Sequence, residues 1–180
     1  NELENYPFSS DGGLGLINPD LEAQNSNSFE IGYKGEINSE KTNIFKKNFF
    51  ELTYFNTVID NAIIPFTADG NTFYRNAAKV VRNGVEFGFN TEIIKGLKWF
   101  GSYTYSNFKY DSYQAISIDN QGNLSSKNYD GNVEPSNPEN YATTELAYTR
   151  QFTKNLTAYI KGFYSYTSSM FVNDQNVDSL

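Results

Sequence analysis

The chain has 180 residues, a net charge of −7, and an aromatic content of 17%. It contains no cysteine and no histidine, which excludes disulfides, thiolate metal sites and Ser-His-Asp or Cys-His catalysis. The 14 Lys and Arg residues form no basic cluster, so a nucleic-acid partner is not expected, because phosphate binding requires concentrated positive charge. We predict that the chain is not an enzyme and that it has no cofactor and no metal site.

Alternation of apolar and polar residues with a period of two dominates the chain, and no segment has a helical period. In the first segment, for example, Phe29, Ile31 and Tyr33 lie on one face and Glu30 and Lys34 on the other. The sequence predicts an all-β protein with six strands, which cover about 29–37, 50–59, 73–90, 97–110, 141–149 and 156–167.

The predicted connections alternate in length. Residues 38–48, 91–96 and 150–155 form the shorter ones, although the first of these is long for a tight turn. Residues 60–72 and 111–140 form longer loops that are rich in Asp, Asn, Gly, Ser and Pro. Short turns at one end and long loops at the other are typical of an antiparallel up-and-down outer-membrane barrel.

The pair Asn83-Gly84 leaves the third segment open to two interpretations. Asn-Gly between two β-prone runs favours a two-residue hairpin, which would split the segment into two strands. Alternatively, one long strand continues through Gly84, where a small residue is tolerated on the polar face. Local chemistry does not separate these two hypotheses.

Three features favour lipid over a protein core as the environment of the apolar faces. Their centres carry no charge, as lipid requires. Aromatic residues such as Phe29, Phe89, Trp99 and Tyr166 lie near the strand ends, where interfacial girdles occur. Most predicted strands are long enough to cross a bilayer at a tilt. The alternative is a non-transporting β binding module, either a soluble lectin-like sandwich or an adhesin-type barrel.

Six stretches, in order, resemble the barrel region of TonB-dependent outer-membrane receptors of the siderophore or ferric-citrate type. The stretch "NPDLEAQNSNSFEIGYKG" resembles that family's Asn-Pro-x-Leu motif and the strand after it, and "YRNAAKVVRNGVEFGFN" resembles its Asn-Ala-x-Lys segment followed by Gly-Val-Glu. The remaining stretches are "ELTYFNTVIDNAI", "GLKWFGSYTYSNFKY", "DGNVEPSNPENYATTELAY" and "SYTSSMFVNDQN". The matching motif positions are Asn18, Pro19, Leu21, Glu30, Gly32, Lys34, Asn76, Gly84 and Glu86.

The resemblance implies a specific architecture and location. It implies that residues 1–180 are the C-terminal part of a larger, 22-stranded barrel in the outer membrane of a Gram-negative bacterium. The plug domain and the closing C-terminal strand are expected outside this chain. The implied partners are membrane lipid, the remaining barrel, the plug and the TonB complex. By the same resemblance, Gly84 lies inside a continuous strand.

The resemblance also implies a function, which is the TonB-driven import of a scarce ligand, typically a ferric siderophore. This chain would supply barrel wall and extracellular loops. Loop aromatic residues are the candidate ligand contacts, although packing within the loops is an equal alternative. These candidates are Phe66, Tyr110, Tyr113 and Tyr129. We interpret Glu30, Glu51 and Glu86 as lumen-facing charges that are paired with Lys34 or Lys161 and solvated by the channel, rather than as catalytic carboxylates.

Overall fold

The computed structural model describes residues 21–39, 44–45, 47–68, 71–118 and 124–180, and these residues contain strands and no helix. Among them, no helix is long and apolar enough to cross a membrane. The strands are β1 (Asn25–Asn38), β2 (Lys47–Ala68), β3 (Asn71–Ile94), β4 (Leu97–Ile118), β5 (Leu124–Asn128), β6 (Asn140–Thr153) and β7 (Leu156–Thr167). The prediction of an all-β chain is therefore confirmed.

The strands form one antiparallel meander in the order β1-β2-β3-β4-β6-β7, and β5 pairs with the upper part of β4. Each long strand therefore lies beside its neighbour along the chain, as in an up-and-down barrel wall. The described sheet has two ends, β1 and β7, and does not close on itself.

One face of the sheet is apolar across all six strands of the meander. The register places Ile31 opposite Tyr54, and Tyr54 opposite Val85. Because opposite residues lie on the same face, this face can be followed from strand to strand. Its members are Phe29, Ile31, Tyr33, Phe50, Leu52, Tyr54, Val85, Phe87, Phe89, Trp99, Tyr103, Tyr105, Ala142, Leu146, Tyr148, Ile160, Tyr164 and Tyr166. No charged residue lies among these members, and the charges on the same side of the strands, such as Lys109 and Arg150, lie beyond them towards the strand ends.

Large apolar side chains on this face are exposed. Ile31 is 62% exposed, Tyr54 is 42% exposed and Tyr164 is 63% exposed. No second sheet covers them in the described part of the chain, since all its long strands belong to one meander. The apolar face therefore requires an apolar environment outside the described sheet.

Gly84 lies inside a continuous strand β3, which decides between the two interpretations of Asn83-Gly84. It pairs with Phe55 on β2 and with Ser106 on β4. A Cβ atom at Gly84 would overlap both the Phe55 ring and the backbone carbonyl of Tyr105. A glycine is needed at position 84 because the Phe55 ring occupies the space on the polar face where a side chain would lie. The glycine does not form a turn.

The two ends of the sheet differ, as predicted. At one end, Lys95-Gly96 and Lys154-Asn155 are two-residue turns, and Gly96 has a φ of +85°. At the other end, β2 and β4 continue beyond residues 59 and 110, where the sequence predicted that they end. Residues 60–72 are mostly the arms of the β2–β3 hairpin, and residues 111–140 contain the end of β4 and all of β5. The prediction that the strands stop short of these two segments was wrong, because backbone pairing continues along the hairpin arms beyond the apolar face.

The buried core lies at the long-loop end, on the polar face. It consists of Ile59, Ala62, Ala78, Val80, Tyr110, Tyr113 and Tyr129. Two irregularities in pairing shape it. One falls between Ile59 and Ala62, where Asn61 has a φ of +56°, and the other falls between Lys79 and Val80. These bulges bend the hairpin arms and re-aim their side chains.

Candidate functional site

Three tyrosines from the long-loop end meet in one buried cluster. Tyr110 pairs with Val80, and after a one-residue bulge Tyr113 pairs with Ala78. The bulge brings both rings to the same face, with centroids 4.7 Å apart. Tyr129, which follows β5, packs against Tyr113 at 5.4 Å. Tyr110 and Tyr113 are each 4% exposed and Tyr129 is 8% exposed. The three rings therefore form a small buried cluster at the long-loop end of the sheet.

The carboxylate of Asp174, after β7, accepts hydrogen bonds from two of these tyrosines. The Tyr110 hydroxyl donates to Oδ1 at 2.7 Å, and the Tyr113 hydroxyl donates to Oδ2 at 3.2 Å. Burial, together with the adjacent Asp174 carboxylate, raises the pKa of both tyrosines above the usual range. Both hydroxyls therefore stay protonated and act as donors.

Two asparagines and an ion pair add further links between the loops. The Asn132 side chain donates to the backbone carbonyl of Asp174 at 2.7 Å. The Asn176 side chain accepts a hydrogen bond from the Val133 amide at 2.6 Å and donates one to the Val133 carbonyl at 2.8 Å. It therefore makes the same two hydrogen bonds with Val133 that the backbone of a neighbouring strand residue would make. Arg82 on β3 binds Glu134 through two nitrogens at 2.7 and 2.5 Å. The segments around residues 129–136 and 170–180 thus form one assembly on the β3–β4 arms, which we name the loop assembly.

The structure places the four predicted ligand contacts in different settings. Tyr110, Tyr113 and Tyr129 come together, but their rings are covered by the loop assembly. Phe66 is a β2 residue near the hairpin tip, and its side chain lies outside the described part. Ligand contact by these four residues stays a prediction. For the three tyrosines, such contact would first require Asp174 to move away.

Asp174, Asn132 and Asn176 were missed as site residues by the sequence reasoning. Each is an ordinary loop residue in the sequence, and the pairing of positions 42 to 64 residues apart has no local signal. By contrast, Asp130 occupies a recognisable turn. Hydrogen bonds from the Tyr113 amide and the Asn128 side chain lower the pKa of Asp130.

Among the family-motif positions, Asn76 has the most contacts. Its Oδ1 accepts from the Glu22 amide at 2.7 Å, and its Nδ2 donates to the carbonyls of Glu22 at 2.9 Å and Asn61 at 2.7 Å. Asn76 thereby fixes the segment just after Leu21 against the β2–β3 hairpin. Asn18 and Pro19 lie outside the described residues.

Apart from Leu21, which precedes β1, the other motif positions in the described residues lie on the polar face of the strands. Lys34 forms an ion pair with Glu51 at 3.3 Å, as expected for Glu51, whereas Lys161 pairs with Glu145 at 3.0 Å rather than with Glu30, Glu51 or Glu86. Gly32 lies beside Thr53, where a Cβ would be 3.0 Å from the Thr53 hydroxyl. Glu30 and Glu86 are both exposed on this face.

A cavity of about 400 Å³ lies beside β4, at the lower edge of the loop assembly. Side chains from both faces of β4 line it, including Tyr105, Phe108 and Lys109. Its outer wall is formed by residues 133–139 and 169–171. A smaller, polar cavity of about 220 Å³ lies at the short-turn end and includes Glu36, Lys47 and Glu92.

Within the described residues, no group of three or more Asp and Glu side chains is arranged to hold a metal ion. The arrangement at the long-loop end offers hydrogen-bonding groups, apolar surface and ordered backbone.

Comparisons with known proteins were made by sequence family and by structure. The family model for "TonB dependent receptor-like, beta-barrel" matches residues 2–180. No curated protein matches the sequence. The fold resembles the crystal structure of BauA, the ferric preacinetobactin receptor from Acinetobacter baumannii, with a TM-score of 0.62 and 16% sequence identity. That match covers 99% of this chain but only 23% of the BauA chain.

Proposed function

Because the chain belongs to the TonB dependent receptor-like β-barrel family, we propose that it forms part of the wall and the extracellular loops of an outer-membrane transport receptor. The short-turn end faces the periplasm and the loop assembly faces the outside. The apolar face contacts lipid, and the polar face lines the lumen. The cell is a Gram-negative bacterium.

The observation that carries this proposal is the uninterrupted apolar face of the six-stranded meander. A charge on such a face at mid-bilayer costs about 2–4 kcal/mol, and none lies among the residues that make up this face in the described strands. Aromatic pairs mark the periplasmic border, where Phe89 and Trp99 lie 4.6 Å apart beside the Lys95-Gly96 turn. Their position suits a headgroup girdle.

The competing function, a soluble or adhesin-type binding module, requires a different cover for this face. In a soluble sandwich a second sheet buries the apolar side chains. The described residues provide no such sheet, and Phe29, Ile31 and Tyr33 are each at least 60% exposed. The receptor proposal therefore accounts for the exposed rings more simply.

The ligand in this proposal is a scarce small molecule of the ferric siderophore class, and the support is that the structural relative BauA is a ferric preacinetobactin receptor. Transport would be driven by the TonB system acting on a plug domain in the lumen. Rings on the polar face, namely Phe49, Phe100 and Phe163, are 41%, 44% and 63% exposed. They suit contact with such a plug. This chain would have no bond-making role.

The lipid assignment can be tested with two neighbouring residues on β3 that point to opposite faces. Phe87→Lys places a charge on the apolar face, and Glu86→Lys places the same charge on the polar face. We expect Phe87→Lys to lower the free energy of unfolding in bilayers by about 2–4 kcal/mol. Glu86→Lys should change it by less than about 1 kcal/mol, because its side chain remains hydrated. Reversible denaturant titration of the full-length protein in vesicles measures both values.

The absence of native cysteine in this chain allows an independent measurement. Cysteine placed at position 87 should react with a lipid-soluble maleimide, and cysteine at position 86 with a water-soluble one. Equal costs for the two lysine variants, with equal labelling of both cysteines by the water-soluble reagent, would contradict a lipid-facing β3. Transport of candidate ferric siderophores by a deletion strain complemented with the intact gene tests the ligand separately.

A further inference from the structure

The short-turn end of the sheet is basic, although the chain as a whole has a net charge of −7. This end comprises residues 36–48, 91–98 and 150–155. Its described residues include five basic and two acidic side chains, which are Lys47, Lys95, Lys98, Arg150 and Lys154 against Glu36 and Glu92. Positive charge is therefore concentrated at the end of the sheet that the proposed function places in the periplasm.

The strand register brings two of these basic residues to the same level. Leu97 pairs with Tyr148, and the Thr149 amide donates to the Gly96 carbonyl at 2.8 Å. The next residues in the same direction along the two chains are Lys95 and Arg150. Like charges at opposite positions destabilise a sheet, and an anion that binds to both removes the repulsion.

No carboxylate in the described part of the chain neutralises this group. The ion pairs of the described residues form elsewhere on the sheet, and none of them includes Lys95, Arg150 or Lys154. Glu92, on the polar face of β3, accepts a hydrogen bond from the Gly96 amide at 3.1 Å. The three basic side chains are exposed, so an anion from outside the described chain can reach them.

Arg150 also lies at the border of the apolar face. Leu146, Tyr148 and Arg150 follow one another on the same side of β6, and the small residue Ala158 lies opposite Arg150 on β7. The guanidinium carbon of Arg150 lies 5.3 Å from the centre of the Phe152 ring, which is a cation–π contact. Arg150 therefore lies between apolar side chains and the turns, at the level where headgroups meet a membrane protein.

We propose that Arg150 and Lys95, together with Lys154, bind the phosphate of an anionic phospholipid in the periplasmic leaflet of the membrane. This inference rests on the proposed function, which places the apolar face in lipid. Charge complementarity and continuity with the apolar face select this occupant. A phospholipid presents acyl chains and a phosphate together, so its chains cover Tyr148 while its phosphate meets Arg150. The guanidinium fork fits two phosphate oxygens at once.

The test measures which phospholipid lies at this border when the full-length protein is in phosphatidylcholine vesicles. Leu156→Cys, at the 57% exposed first position of β7, carries a bimane fluorophore in a protein with no other cysteine. The probes are phosphatidylglycerol and phosphatidylcholine, each with a doxyl quencher on one acyl chain. A basic residue near anionic headgroups contributes about a 5-fold factor in binding. We expect preferential quenching by phosphatidylglycerol, and we expect Arg150→Gln and Lys95→Gln each to lower that preference about 5-fold.

The matched control is Lys98→Gln, because Lys98 lies at the same end of the sheet but on the polar face, opposite Glu92. It should leave the preference for phosphatidylglycerol unchanged. Arg150→Lys keeps the positive charge and should retain most of the preference. Lys95→Gln changes only an exposed turn residue, so it provides the comparison even if Arg150→Gln does not fold.

The outcomes separate this inference from the proposed function. Equal quenching by the two labelled lipids, or equal effects of Arg150→Gln and Lys98→Gln, would overturn the phosphate site and leave the lipid-facing assignment intact. Absence of quenching by either lipid would overturn both. A preference that is lost in inorganic phosphate, but not in sodium chloride of the same ionic strength, would assign these residues to a free anion and would also overturn the inference.

Discussion

Removal of the Asp174 carboxylate should release the segment after β7 from the hairpin arms. Asp174→Ala leaves the Tyr110 and Tyr113 hydroxyls without their acceptor, although both side chains are only 4% exposed. A hydrogen bond to a charged group contributes about 1.5–3 kcal/mol. The 2.7 Å bond lies near the upper part of that range, and the 3.2 Å bond contributes less.

The combined loss is therefore about 3 kcal/mol, which corresponds to a roughly 100-fold larger population of the undocked segment. Hydrogen exchange of the intact protein measures this directly. The Val133 and Gly131 amides should exchange faster, because Asn176 and Tyr110 accept from them within the loop assembly. Amides in the β2–β3 ladder below should be unaffected, since their pairing does not involve residue 174.

Asp178→Ala is the matched control, because the Asp178 carboxylate accepts an exposed hydrogen bond from Asn173 and the backbone bond from the Val172 amide to the Asp178 carbonyl is kept. A double-mutant cycle of Asp174→Ala with Tyr110→Phe isolates the coupling between the two groups. If Asp174→Ala and Asp178→Ala give the same exchange rates, or if the cycle shows no coupling, the carboxylate does not hold the loop assembly together.

Two further predictions concern the same region and the strand below it. Burial and Asp174 raise the pKa of Tyr110 and Tyr113 above the ordinary value of about 10. Docking of the loop assembly should therefore be complete below pH 10 and weaken as the pH rises above it, because the undocked tyrosines ionise first. A spin label near residue 175 should gain mobility above pH 10, and the double variant Tyr110→Phe/Tyr113→Phe should remove that dependence. In β3, Gly84→Ala should lower the free energy of unfolding by about 1–3 kcal/mol, because the new Cβ would meet the Phe55 ring and a backbone carbonyl. Gly162→Ala on β7, where a Cβ meets nothing within 4 Å, should be neutral, and equal effects in denaturant titration would refute this explanation.

Much of the barrel wall could be predicted from the sequence, because the pattern that identifies a strand lies within a few neighbouring residues. A period of two fixes which residues share a face, so the alternation in 29–37 and 156–167 was sufficient to place β1 and β7. The tight turn at Lys95-Gly96 follows from a glycine that accepts a positive φ. The charge-free apolar face follows from the same alternation once the register is known.

The candidate site could be predicted only in part. The three loop tyrosines stood out as aromatic residues in a polar segment, but their burial was not visible in the sequence. It depends on a bulge that turns Tyr110 and Tyr113 to one face. It also depends on contact with Asp174, which lies 64 residues after Tyr110 and 61 residues after Tyr113 in the chain. The strand extensions at 60–72 and 111–140 were missed because polar hairpin arms outside lipid lack the apolar alternation that identifies a strand.

The sequence by itself determined the all-β class, the strand order along the chain and the side of each strand that is apolar, because these depend on residues two positions apart. Only the tertiary structure decided that Gly84 lies under Phe55, that Asn76 holds the segment at Glu22, and that Asp174 joins Tyr110 and Tyr113. Those features depend on atoms that meet across strands and loops distant in the chain, and no local pattern records such contacts.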